Sequence, residues 1–293
     1  MTRTKSSIPI SFVSLLFLLL VFSIPASAQK DKKQPPPGPL LKRTTTRHEN
    51  ARLQYGGTVT LAGAPAGSIV IEGWDRNEVD VTATIELQAP TAEDLDRLAV
   101  VNNFAFDVDM NHIRIITTGT HDRAFMKRMA KGFPKALNDL PWKIDFIVKM
   151  PAMTDLIVDS GVGPISISGV EGALRLNALS SDADLSLTGG LVQVLIQKGT
   201  MKLKIAARSW HGLGSEFQLA SGVMILELLP GFSADINADV LRTGQIKNTF
   251  ADLQPTSRNS IQPSSMRARA GSGGATLTLT VGDGSIEIKN MAN

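Results

Sequence analysis

The sequence predicts an all-β chain, a β-solenoid or β-helix of short strands with a small helical insert in its N-terminal part. Three observations carry the prediction. From about Gly163 onward, short segments alternate apolar and polar side chains and are separated by glycines; alternation of period two places one set of side chains on a single strand face. Two such segments take about 18 to 20 residues, a period expected of stacked repeats. The 293-residue chain has no cysteine, so disulfides cannot hold it and burial of apolar surface must.

The chain opens as an export signal. Arg3 and Lys5 precede the apolar run Ile8 to Ile24, and Ala26-Ser27-Ala28 supplies the small residues of a cleavage site. The run is shorter than the roughly 20 residues of a membrane span, so cleavage after Ala28 is preferred to an uncleaved anchor. An exported, periplasmic, cell-surface or secreted protein is expected. Cleavage takes away Arg3 and Lys5 from 30 basic and 27 acidic side chains, leaving near neutrality. No clustered basic face of the kind that binds nucleic acid is implied. The lack of cysteine excludes thiol catalysis, Cys-ligated zinc and an N-terminal lipoprotein anchor.

Residues 29–50 read as a linker. Lys30, Lys32 and Lys33 are followed by Pro35, Pro36, Pro37 and Pro39, and proline favours an extended, semi-rigid spacer. The folded part is assigned to residues 51–293. Ser68 to Trp74 reads as a strand and Asp75 to Glu78 as a turn. Val79, Val81, Ala83, Ile85 and Leu87 then alternate with Asp80, Thr82, Thr84 and Glu86, a strand with one buried face. Thr91 can cap a short helix to Asn102, with Glu93 and Asp94 in its first turn. A strand pair follows, Phe104 to Met110 and His112 to Thr117.

Asp122 to Leu140 breaks the pattern. Phe125, Met129, Phe133, Leu137 and Leu140 recur at helical spacing, with Arg123, Lys127, Arg128, Lys131 and Lys135 largely between them, and Pro134 should interrupt the helix. Trp142 to Met150 returns to a strand. Alternation then runs through Ile165 and Ile167, Leu174 and Leu176, Leu185 and Leu187, Val192 to Ile196, and Met201 to Ile205. It pauses in a loop at Ala207 to Ser215, resumes from Phe217 to Leu228, pauses again in a long polar loop at Phe250 to Gly274, and ends with Leu277 to Val281 and Ile286 to Ile288. A single strand of this length buries too little to stand alone, whereas coiling stacks its inward residues into a continuous column. A β-sandwich is the rival architecture.

Taken in order, several pieces resemble the bacterial putative-adhesin family, exported proteins with a β-solenoid domain of unknown function. They are Gly67-Ser68-Ile69-Val70-Ile71-Glu72-Gly73-Trp74-Asp75, Asn77-Glu78-Val79-Asp80-Val81, Phe146-Ile147-Val148-Lys149-Met150-Pro151, Val158-Asp159-Ser160-Gly161, Leu219-Ala220-Ser221-Gly222 and Gly282-Asp283-Gly284-Ser285-Ile286-Glu287-Ile288. The basic insert and the loop after Phe250 depart from that pattern. The resemblance implies an envelope location, a non-catalytic role and, as an accessory possibility, a part in envelope stress; no binding residue is carried over from it.

Candidate sites are few. His48, His112, His121 and His211 are scattered, without the short spacing of a metal site, and no cofactor is expected. Asp182 and Asp184 lie two apart and share a strand face; such a pair could serve calcium or a glycan-active lyase or hydrolase, or simply belong to a solvated face. Trp210 and His211 are expected in a surface loop able to meet an envelope glycan or protein. The insert offers two readings: a cap packed on the coil, or a membrane contact in which Phe125, Met129 and Phe133 enter an anionic surface while Lys127 and Arg128 meet phosphates. The leading expectation is an exported, non-catalytic, adhesin-like binding or scaffold protein.

Overall fold

The computed structural model describes residues 39–257 and 260–291. The signal segment and the proline run of the linker lie outside the described residues. The linker's end does not: Leu41–Arg52 forms strand β1. Its residues read as linker because nearly all are charged or polar, which suits a strand at a sheet margin.

The first elements after β1 are β2 (Thr58–Ala66), β3 (Ile69–Trp74), β4 (Glu78–Ala89), helix α1 (Ala92–Val101), β5 (Asn103–Asp109), β6 (His112–Thr118) and helix α2 (Arg123–Met129). A 3-10 turn at Lys135–Leu137 leads to β7 (Trp142–Pro151), β8 (Asp155–Val162) and β9 (Ile165–Ser168). Long strands follow: β10 (Leu174–Leu187), β11 (Gly189–Ile205), β12 (His211–Leu228) and β13 (Ala234–Asn248). The chain closes with β14 (Leu253–Pro255), β15 (Ile261–Gln262), β16 (Ser265–Ala270) and β17 (Thr276–Asn290). The all-β expectation holds: these strands form one mixed sheet that does not close on itself.

Each long strand bends once. In β10 the buried positions are Leu174, Leu176 and Ala178, then Ser181, Ala183, Leu185 and Leu187, so the alternation slips by one residue at the middle. The slip turns the chain while keeping both halves facing one interior. The same slip occurs in β11 between Ile196 and Met201 and in β12 between Leu219 and Met224. A column of residues occupies the bend: Ser181 is in register with Gly199, Gly199 with Gly222, Gly222 with Gly284 and Gly284 with Gly244. Gly199 and Gly222 have φ of 135° and 142°, values L side chains rarely adopt. A Cβ on Gly222 would sit 1.8 Å from the Gly199 carbonyl oxygen.

Neighbouring rungs run parallel and in register. Leu156, Leu174 and Val192 align, as do Val158, Leu176 and Val194. Ile167, Leu176, Val194 and Leu203 are all buried, as their alternation predicted. Burying each such side chain contributes about 1.5–3 kcal/mol, and successive rungs share the same column. Register partners from β8 through β10 to β11 lie 18 residues apart, and aspartates join them: Asn177 Nδ2 donates to Asp159 and the Thr200 N–H donates to Asp182.

The winding order differs from a simple coil at both ends. The β2–β3 rung lies between β6–β7 and β8–β9. The last strand, β17, lies between β12 and β13, pairing parallel with both. The stretch Phe250 to Gly274, expected as a long loop, contains β14, β15 and β16, which add antiparallel strands beyond the first half of β13. Both β13 and β16 escaped the sequence reading because several inward residues are alanines: Ala234, Ala238, Ala268 and Ala270. At the other end α1 buries Leu95, Leu98 and Val101, with Thr91 accepting from the Asp94 N–H as the expected N-cap.

Candidate functional site

The residues singled out in the sequence fall in three places. Trp210 is 5% exposed and belongs to the core. Its Nε1 donates to the Gly190 carbonyl at 3.2 Å, and its ring meets Phe217 edge-on with centroids 6.5 Å apart. The expectation of a surface Trp210 is therefore corrected: its indole packs inward on Phe217 just before β12 begins. His211 is exposed and begins β12.

Asp182 and Asp184 do share the outward face of β10, but each is engaged. Asp182 Oδ1 accepts from the Thr200 N–H at 3.0 Å, and Asp184 lies 2.7 Å from Lys204 Nζ. Asp155 repeats the first arrangement by accepting from the Ala173 N–H, again 18 residues on. These carboxylates lock one rung to the next. Among the described residues no group of three or more His, Asp or Glu side chains is placed to hold a metal ion.

The outward face formed by the first halves of β10, β11 and β12, before the slip, carries a shallow groove of about 180 Å³ lined by Arg175, Asn177, Gln193, Leu195, Glu216 and Gln218. Arg175, Gln193 and Glu216 are direct register partners on successive rungs. Parallel in-register pairing sets these donors and acceptors at the inter-strand spacing of about 4.8 Å. Gln193 and Gln218 were recognisable as outward by alternation, but their alignment depends on the rung register.

The basic insert divides in two. Its second part is anchored: Leu137 is buried, and Phe133, Leu140 and Trp142 pack against the core. Its first part, α2, buries no residue. Asp122 caps it, accepting from the Ala124 and Phe125 N–H groups. Phe125 is half-buried, Lys127 and Arg128 are exposed, and Met129 is 72% exposed. The cap reading thus fits residues 133–140 and does not fit α2. Between α2 and α1 lies a cleft of about 470 Å³, where Met129, Lys131 and Phe133 face Arg97 and Val100. Val100, 81% exposed, was missed in the sequence; it lies off the Leu95, Leu98 and Val101 face and has no partner pattern to mark it.

No protein-family model and no curated protein matches the chain. Similar solved structures include a putative cell adhesion protein from Clostridium sporogenes, at 9% identity and a TM-score of 0.37, covering 84% of this chain and 100% of that one. A putative adhesin from Bacteroides fragilis is 12% identical, with a TM-score of 0.36 and coverage of 84% and 97%. A putative adhesin from Parabacteroides merdae is 10% identical, with a TM-score of 0.25 and coverage of 83% and 95%.

Proposed function

We propose that this protein is an exported, non-catalytic scaffold of the cell envelope, a two-sided β-solenoid whose flat polar faces bind a glycan or protein partner. The observation that carries the reading is the in-register row Arg175, Gln193 and Glu216, flanked by Asn177 and Gln218, on a face that the rungs hold rigid. Guanidinium, amide and carboxylate groups at strand spacing supply the donors and acceptors that hydroxyl-rich or peptide ligands need. The structural use of Asp182 and Asp184 supports a binding role over glycan turnover, since each carboxylate joins one strand to the next. The predicted signal segment supports export.

The test uses cell-wall sacculi and a panel of acidic polysaccharides. The wild-type chain should bind one of them without cleaving it, and the triple variant Arg175→Ala, Gln193→Ala, Gln218→Ala should lose that binding while keeping its melting temperature. Calcium-dependent cleavage of a polysaccharide, abolished in Asp182→Ala, would overturn the proposal in favour of an enzyme.

A further inference from the structure

We infer that the α1–α2 end of the stack docks on an anionic phospholipid surface, with α2 as the contacting element. Three observations meet there. First, α2 is held at its start by Asp122 and is followed by the anchored Phe133 and Leu137, so it is fixed in place yet buries nothing itself. Second, Met129 and Val100 are among the more exposed apolar side chains of the described residues, and they lie on one cleft. Third, the charge of the insert that supplies one wall of that cleft is one-sided. Arg123, Lys127, Arg128, Lys131 and Lys135 are exposed and have no ion-pair partner among the described residues.

The carboxylates of α1 do not offset them. Glu93 and Asp94 pair with Arg97, and Asp96 pairs with Arg43. Asp122 is spent on the N-cap, which leaves Asp139 as the other acidic residue of the insert. The opposite end of the stack differs in kind: Arg242, Arg267 and Arg269 each pair with an aspartate, Asp283, Asp239 and Asp235. Among the described residues the five cations of the insert thus lack the carboxylate partners that Arg242, Arg267 and Arg269 have. Unpaired lysines and arginines beside exposed apolar side chains match a bilayer interface, where headgroup phosphates take the charges and the acyl boundary takes the apolar groups. A soluble polyanion would use the charges and ignore Met129 and Val100. This inference deepens the envelope proposal by naming one partner and where it binds, and it does not depend on the Arg175 face.

The test is co-sedimentation of the chain beginning at Gln29 with vesicles. Every strand and helix of the described residues lies after Pro39, so that chain includes them all. Vesicles of phosphatidylglycerol in phosphatidylcholine should bind it, and pure phosphatidylcholine should not. Lys127→Ala with Arg128→Ala should weaken binding about thirtyfold, and Met129→Ser with Val100→Ser should weaken it severalfold, with melting temperatures unchanged. No binding to anionic vesicles, or binding indifferent to the charge pair, overturns the inference. So does binding that survives the Met129 and Val100 changes and is displaced fully by soluble polyphosphate, which marks a general polyanion site. Sacculus binding that persists in the α2 variants leaves the scaffold reading standing if the membrane inference fails.

Discussion

Gly222 stacks on Gly199 so closely that a Cβ on Gly222 would lie 1.8 Å from the Gly199 carbonyl oxygen, with the Gly222 backbone at φ 142°. The slip of β12 depends on this approach, because the backbones of β11 and β12 meet there with no room for a side chain on Gly222.

Gly222→Ala should therefore cost at least about 2–3 kcal/mol, from strain and displaced backbone together. Gly56→Ala provides the comparison: its φ is 73° but nothing lies within 4 Å of the new Cβ, so only the left-handed penalty of about 1–2 kcal/mol applies. Chemical denaturation of both variants checks the order; equal losses would remove the crowding argument.

Trp210→Ala should destabilise by about 3–5 kcal/mol, as expected for a large buried aromatic residue, while His211→Ala should change stability by no more than about 0.5 kcal/mol. Thermal melts of the two variants decide whether this Trp-His pair is core next to surface, as the structure places it, or a shared binding loop.

Ser215 occupies the inward face between Val192 and Leu277, and its buried Oγ has no hydrogen-bond partner among the described residues. Ser215→Ala removes an unsatisfied hydroxyl and should leave stability unchanged or raise it by up to about 1 kcal/mol. A loss larger than that would mean the hydroxyl has a partner in solution.

Asp145 fastens the bend at Ser68. Burial pushes its carboxyl up, but the Lys143 ammonium at 2.8 Å and the Ser68 N–H and O–H at 2.7 and 2.9 Å outweigh burial and hold it below the ordinary carboxylate value. A depressed folded value contributes stability above the unfolded value of about 4, and that stability is lost as pH falls through the folded value. Asp145→Asn should lower stability at neutral pH by on the order of 1–2 kcal/mol, with the difference from wild type shrinking in acid. Denaturation midpoints across that range test the sign; a gap that widens toward low pH contradicts it.

What was legible in the sequence was local. The inward sets Ile165 and Ile167, Leu174 and Leu176, and Leu277 to Val281 announce themselves by alternation, and Thr91 with Glu93 and Asp94 marks the start of α1. What was not legible falls into three kinds. Strand β1 carries Lys42, Arg43, Arg47 and Arg52, whose margin role looks like a linker; Arg47 in fact donates to the Phe104 carbonyl at 2.7 Å and lies over its ring. Strands β13 and β16 use alanine inward, which weakens the apolar signal. Rung order is a non-local choice: Leu277 and Leu279 fit beside Phe217 and beside Ile236, and no residue near either states which neighbour comes first. For the candidate membrane surface, Met129, Phe133 and the cations were visible from spacing, but Val100 required the cleft that brings α1 to α2.

The placement of β17 between β12 and β13 is the claim on which the stacked architecture most depends, and a chain without cysteine allows a direct measurement. Glu216 is the register partner of Thr278, and Thr278 of Asn237. Oxidation of the Glu216→Cys, Thr278→Cys pair should form an intramolecular disulfide, since adjacent strands lie about 4.8 Å apart. The Glu216→Cys, Asn237→Cys pair, one strand further apart, should stay reduced under the same conditions. Cross-linking of the second pair and not the first would contradict the threaded order and restore a sequential coil.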